Sequence, residues 1–238
     1  MIEFQQAPAA LPDGVRIYAV GDVHGCVDRL DRLHRRIATD LAKRPAEEPL
    51  LVHLGDLVDR GPDSAEVVER LAGGPPLAGL PTVNLMGNHD FMMLAAIATL
   101  EPGAVGLWMS NGGVPALRSW GVPPATPPRD WAQYIPRRHL VFLRDLAPLH
   151  RVGPYMFVHA GVRPGVALDR QSREDLMWIR EPFLSHSGEL GAVVVHGHTP
   201  RQEPEIRPHR IGVDTGAVLG GALTCAVLEG DRVGFLRA

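Results

Sequence analysis

The sequence predicts an α/β fold, a central pair of mixed β-sheets flanked by helices in four layers, α/β/β/α. The chain begins as β-α-β-α-β, with short apolar strands expected at 16–20, 50–54 and 82–86 and helical patterns between them. Further strands are expected at 155–158, 192–195 and 210–213, and a last pair, 223–229 and 232–236, flanks the hairpin turn Gly230-Asp231. At 238 residues, 45% apolar and 21% charged, the chain has the size and balance of one core-forming domain.

The elements follow from local pattern. Residues 26–43 place Leu30, Leu33, Ile37 and Leu41 three or four apart, the spacing of one helical face. A second helix spans 64–71, with Ser64 as a suitable N-cap and Gly73-Gly74 as its end. Residues 91–153 differ, and read as a small helical cap inserted between strands. Helices are expected at 91–100, at 106–120 and from about 131 to 146, interrupted by a proline-rich loop at 121–129. Residues 1–14 are expected to form a flexible N-terminus, and residues 15–238 a single domain that carries the cap.

Composition narrows the function. The chain has 24 Lys and Arg against 27 Asp and Glu, a net charge of −3, so there is no basic footprint for nucleic acid or anionic lipid. Two cysteines, Cys26 and Cys225, are too few for a disulfide framework, and no apolar run reaches the length of a membrane span. With no secretion signal evident at the start, a cytoplasmic, monomeric enzyme is expected, without nucleic-acid or membrane partners.

Five segments carry the chemistry, each closing a strand with glycine beside Asp, Asn or His. They are Gly21-Asp22-Val23-His24-Gly25, Gly55-Asp56-Leu57-Val58-Asp59-Arg60-Gly61, Gly87-Asn88-His89-Asp90, His159-Ala160-Gly161 and His196-Gly197-His198-Thr199. In α/β sheets ligands gather beyond the carboxyl ends of strands, so sequence-distant segments can converge there. Oxygen and imidazole donors suit divalent metals, and two metals suit phosphate ester hydrolysis. Asp22 and His24, two apart, can face one metal, and the two oxygens of Asp56 can bridge a pair. Taken singly, each segment is an ordinary turn aspartate, cap or surface histidine; the five together are specific.

These segments resemble the phosphoprotein phosphatase family of metallophosphoesterases, whose Gly-Asp-x-His-Gly, Gly-Asp-x-Val-Asp-Arg-Gly and Gly-Asn-His-Glu pattern matches 21–25, 55–61 and 87–90 except at Asp90. The stretches 108–113, 178–181, 197–200 and 213–218 look like its bacterial and bacteriophage lambda phosphatase branch. The resemblance implies a metallophosphoesterase fold and two divalent cations per chain, manganese first, with iron, zinc or cobalt compatible. It implies that Asp22, His24 and Asp56 bind one metal, and that Asp56, Asn88, His159 and His198 bind the other. It also implies that His89 is the general acid with Asp59 hydrogen-bonded to it, and that Arg60, Arg180 and Asn88 hold the phosphate. In such a site two cations share a water or hydroxide that attacks phosphorus directly. Asp90 stands where glutamate is usual; it is not a ligand position, so activity is expected to survive.

The leading expectation is a serine/threonine protein phosphatase acting on phosphorylated proteins or peptides, with phosphotyrosine also open to a shallow site. The alternative is a dinucleoside polyphosphate hydrolase, for which arginines of the cap, Arg137, Arg138 and Arg144, are the candidates to contact the extra phosphates, although a solvated helix face is the commoner reading of such residues. A non-catalytic phosphoprotein-binding scaffold is the remote third reading. Among the remaining residues, His53 is expected to pack in the core, His196 to be structural or to support the site, and Asp214 to brace the site or cap a turn; Arg163 is more often a surface residue than one at the site mouth.

Overall fold

Every residue of Val15–Val20 is buried, so this strand needs cover on both faces of its sheet. A computed structural model, which describes residues 2–238, shows how that cover is supplied. Strands β1 (Phe4–Gln6), β2 (Val15–Val20), β3 (Glu48–His53), β4 (Thr82–Asn84), β10 (Thr224–Glu229) and β11 (Arg232–Arg237) form one sheet, ordered β1-β11-β10-β2-β3-β4. Strands β5 (His150–Val152), β6 (Tyr155–Phe157), β7 (Val193–His196), β8 (Glu205–Arg207) and β9 (Arg210–Gly212) form the second, ordered β5-β6-β7-β9-β8. Both are mixed: β2-β3-β4 and β6-β7-β9 run parallel, and the outer strands antiparallel.

The two sheets meet across an apolar layer in which Ile17, Ala19, Val52 and Leu54 of the first oppose Tyr155, Phe157, Val195 and Ile211 of the second. On the other face of the first sheet, Tyr18, Val20 and Leu51 pack against α1 (Val27–Lys43) through Leu30, Leu33 and Ile37, and against α2 (Ser64–Ala72) through Val67, Val68 and Leu71. On the far side of the second sheet, Met156, Val158 and Val194 are covered by Leu176 of α7 (Arg173–Trp178), Ile179 and Phe183. The result is the expected α/β/β/α layering.

The segment expected as a cap comprises α3 (Asn88–Thr99), α4 (Pro102–Trp108), α5 (Val114–Ser119), a 3₁₀ segment Pro128–Tyr134 and α6 (Arg137–Arg144). Trp108, Leu117, Trp120, Trp131 and Leu143 join the same apolar cluster as α1 and α2. The expected helix over 106–120 is broken at Gly112, where φ is 108°. The helix expected from about 131 is a 3₁₀ turn followed by α6, because Pro136 falls between them.

The N-terminus departs from its expected flexibility. Phe4–Gln6 pairs antiparallel with β11, and Ala7 and Leu11 are buried, because the first sheet offers an unpaired edge beside β11. Ser64 also departs from its expected capping role: Asp63 is the cap position, and Ser64 Oγ instead accepts the Asp59 backbone N–H at 3.0 Å. No helix among the described residues is long and apolar enough to cross a membrane.

Candidate metal centre

The parallel strands of both sheets bring their carboxyl ends to one edge. There β2 delivers Asp22 and His24, β3 delivers Asp56, Asp59 and Arg60, and β4 leads to Asn88 and His89 at the start of α3. From the second sheet, β6 delivers His159, β7 delivers His198, and β9 delivers Asp214. Two glycines make this closeness possible: a Cβ on Gly87 would strike the backbone N and Oδ1 of Asp56, and one on Gly197 would strike Asp22 Oδ1. His24, Asp56, Asp59, Arg60 and His198 all have positive φ, between 44° and 74°. For non-glycine residues such backbone costs about 1–2 kcal/mol each, which the surrounding hydrogen bonds must offset.

Two compact donor groups result. Ligand atoms of His24, Asp56 and His89 lie within 4.8 Å of one another, as do those of Asp56, His159 and His198, with Asp56 common to both. Asn88 joins the second group, its Oδ1 lying 3.0 Å from His159 Nε2. Asp22 stands beside the groups, its carboxylate accepting the His198 backbone N–H at 3.1 Å.

Hydrogen bonds behind the site fix which nitrogen of each ring faces inward. His24 Nδ1–H donates to the Val58 carbonyl at 2.9 Å, and His159 Nδ1–H donates to the Leu54 carbonyl at 3.0 Å. Each Nε2 therefore carries a lone pair toward other acceptors. His24 Nε2 lies 3.4 Å from Asp56 Oδ2, while His159 Nε2 lies 3.4 Å from Asp56 Oδ1 and 3.2 Å from His198 Nδ1. The His24 and His159 lone pairs facing the Asp56 carboxylate at this range are stabilised by cations between them. The donor set therefore fits two divalent metals, with one carboxylate able to serve both.

The electrostatics agree. Burial, reinforced by the carboxylates of Asp214 and Asp56, pushes Asp22 well above the usual carboxylate range, and burial with Asp90 does the same to Asp56. Burial, then His89 and Arg60, lowers His24 to about 3; burial, then Arg180, lowers His198 to about 3. Burial takes His159 well below the ordinary imidazole value. The imidazoles are thus neutral lone-pair donors at neutral pH, and the carboxylates have strong demand for positive charge.

His89 is 2% exposed, with its Nδ1 2.8 Å from Asp59 Oδ2. The other oxygen, Asp59 Oδ1, accepts the Trp108 indole N–H at 2.8 Å. Burial raises Asp59 to about 8 against the opposing Trp108 hydrogen bond and Arg60, while burial and Arg60 lower His89 to about 3. A carboxylate partner favours the protonated ring, and burial of the pair works against it. With one proton held between Oδ2 and Nδ1, the ring still presents N–H at Nε2. At the mouth, Arg60 and Arg180 are exposed. Arg60 Nη1 donates to His24 Nε2 at 3.1 Å, and Arg180 Nη2 lies 3.5 Å from the His198 carbonyl.

Outside the centre, Asp214 caps a turn by accepting Gly216 N–H, and Arg163 is ion-paired with Asp175. His53 is fully buried against His34, and His196 packs edge-on to Phe183. Sequence reasoning singled out Trp108 only as part of a matching stretch and assigned it no contact. The available signal was chemical, since a buried indole N–H requires an acceptor.

Paired buried clusters of imidazoles, carboxylates and an amide at converging strand ends define a metallophosphoesterase. The chain belongs to the calcineurin-like phosphoesterase family, whose model matches residues 15–222. It is 30% identical over 218 residues to serine/threonine-protein phosphatase 1 of Salmonella typhimurium, covering 90% of this chain and 92% of the relative. It is 33% identical over 181 residues to a symmetrical bis(5'-nucleosyl)-tetraphosphatase of Methylococcus capsulatus, covering 76% of this chain but 51% of the relative. A solved structure described as a candidate diadenosine tetraphosphatase superposes with a TM-score of 0.68 at 26% identity, covering 98% of this chain and 99% of that one.

Proposed function

We propose that the protein is a metal-dependent phosphomonoesterase that removes phosphate from phosphoserine and phosphothreonine in proteins or peptides. Asp22, His24 and Asp56 would hold one divalent cation, manganese first, and Asp56, Asn88, His159 and His198 the other. When bound, such a pair supplies Lewis acidity and lowers the pKa of water. Arg60 and Arg180, with Asn88, receive the phosphoryl oxygens; each guanidinium can offer two parallel N–H donors and stays charged. His89 donates the Nε2 proton to the leaving alkoxide, and Asp59 orients its ring through Nδ1.

The observation that carries the choice of substrate is the position of the cap arginines. Arg138 pairs with Glu69, on the second turn of α2, and Arg144 pairs with its neighbour Asp145. Arg137 and Arg138 line a groove with Ala72, at the far end of α2, and with Thr82, Val83 and Asn84 of β4, a groove that none of the proposed site residues lines. They therefore do not extend the phosphate-binding surface of Arg60 and Arg180. Hydrolysis of a dinucleoside polyphosphate is the second reading, favoured by the likeness to tetraphosphatases, of which the symmetrical one has about half its length unmatched here. The test is release of inorganic phosphate from a phosphothreonine peptide by metal-loaded protein. Failure on peptide with cleavage of a dinucleoside tetraphosphate moves the site to the second reading.

A further inference from the structure

Asp59 and Arg60 are consecutive residues in the left-handed region, with φ of 74° and 66°, and both serve the site. Such backbone holds only where neighbours determine it. The neighbours come from one stretch of the cap. Trp108, 0% exposed, donates its indole N–H to Asp59 Oδ1 at 2.8 Å, and the Gly112 carbonyl accepts the Arg60 N–H at 3.1 Å. The stretch is shaped for this approach: at Gly112, with φ of 108°, an added Cβ would lie 2.8 Å from Arg60 Cγ and 2.9 Å from Arg60 N. Trp108 is itself held edge-on by Trp131, ring centroids 5.5 Å apart.

Each oxygen of Asp59 then has one partner, Trp108 on Oδ1 and His89 on Oδ2. A carboxylate held by one oxygen alone can rotate about its last bond, and the imidazole would turn with it. We infer that Trp108 is a positioning residue of the reaction, fixing the Asp59–His89 pair from the side opposite the substrate, while the Gly112 carbonyl fixes Arg60. The inference rests on the phosphomonoesterase reading given above, in which His89 protonates the leaving oxygen.

A positioning role through the acid has a kinetic signature that general loosening lacks. Proton donation matters for a poor leaving group and little for a good one. Trp108→Phe keeps an aromatic ring and removes the N–H. For metal-loaded protein, kcat on phenyl phosphate is expected to fall about tenfold, the value of one buried hydrogen bond. On p-nitrophenyl phosphate the fall is expected to be several-fold smaller, with KM unchanged on both. In an Asp59→Ala background, which has no oxygen for the indole N–H, the same change is expected to add almost nothing, because the contact it removes acts through Asp59. If Trp108→Phe does not fold, the benzothienyl analogue of tryptophan at position 108 keeps the bicyclic ring without the N–H and is compared in its place. An equal loss on both esters, an effect confined to KM, or full additivity with Asp59→Ala overturns the inference. Wild-type protein that hydrolyses neither ester overturns the phosphomonoesterase reading instead.

Discussion

The backbone N–H of His89 donates to Asp56 Oδ1 at 3.0 Å, so the candidate acid and the carboxylate shared by both donor groups are locked by one contact. The two residues nevertheless have separable chemistry. His89 also lies within the compact group containing His24 and Asp56, which makes its role a matter of measurement.

Replacing His89 with Asn is expected to lower kcat on an alkyl phosphate by about 10²–10⁴-fold, the usual worth of a general acid. Metal content, read by elemental analysis, is expected to stay at two ions per chain. Loss of both ions in this variant would make the imidazole a ligand.

Replacing Asp56 with Asn is expected to do the reverse, removing metal and activity together while the far-ultraviolet circular dichroism is kept. Chelation of the wild-type protein is expected to give the same inactive state, reversed by manganese. A variant that retains both ions would exclude Asp56 as the bridge.

Asp90 is fully buried, and its carboxylate accepts N–H groups from Leu57, Val58 and Gly87 at 3.0–3.3 Å. It ties the segment around Asp56 to the start of α3. Asp90→Ala leaves three buried donors without partners and is expected to destabilise the fold by about 2–5 kcal/mol. Asp90→Glu overfills the site and is expected to cost about 1–3 kcal/mol while activity survives. Denaturant unfolding gives both values, and equal stability of Asp90→Ala and wild type would show that these contacts carry no weight.

His53 Nδ1–H donates to Asn84 Oδ1 at 2.7 Å, and His53 Nε2 accepts from His34 at 3.0 Å. Burial lowers His34 to about 4, and burial with the neighbouring His34 lowers His53 to about 3. Both folded values lie below the ordinary one of about 6.5, so the unfolded chain takes up protons first. The stability they contribute is full above that pH and is lost as pH falls through it toward 4. The slope is at most about 1.4 kcal/mol per pH unit for each ring. His34→Gln is expected to show a smaller drop in urea midpoint between pH 7 and pH 5 than wild type; identical drops would contradict this.

Much of this is legible in the sequence. Helix α1 announces itself because Leu30, Leu33 and Ile37 recur at helical spacing, and all three are buried. The strand-end donors were legible because glycine beside Asp, Asn or His marks a turn where backbone crowds a ligand. What was not legible depends on partners distant in sequence. Phe4–Gln6 is a strand only because β11 lies beside it, and two of its three residues are glutamines with no apolar alternation to read. The break at Gly112 follows from its fit against Arg60, 52 positions earlier in the numbering, and local helix propensity does not report it. Trp108 meets Asp59 across a separation of 49 residues. The arginines of the cap read in sequence as a solvated helix face or as phosphate contacts; the pairing of Arg138 with Glu69 emerges only when α6 packs on α2.

The central claim is that the site is a two-metal phosphomonoesterase matched to a single phosphate. It is tested most directly by kcat/KM on a phosphothreonine peptide and on a dinucleoside tetraphosphate, measured side by side after controlled loading with manganese. The expected result is a peptide value at least about tenfold higher, a difference of about 1.4 kcal/mol in transition-state stabilisation. Cleavage of the dinucleotide with no phosphate released from the peptide would contradict it.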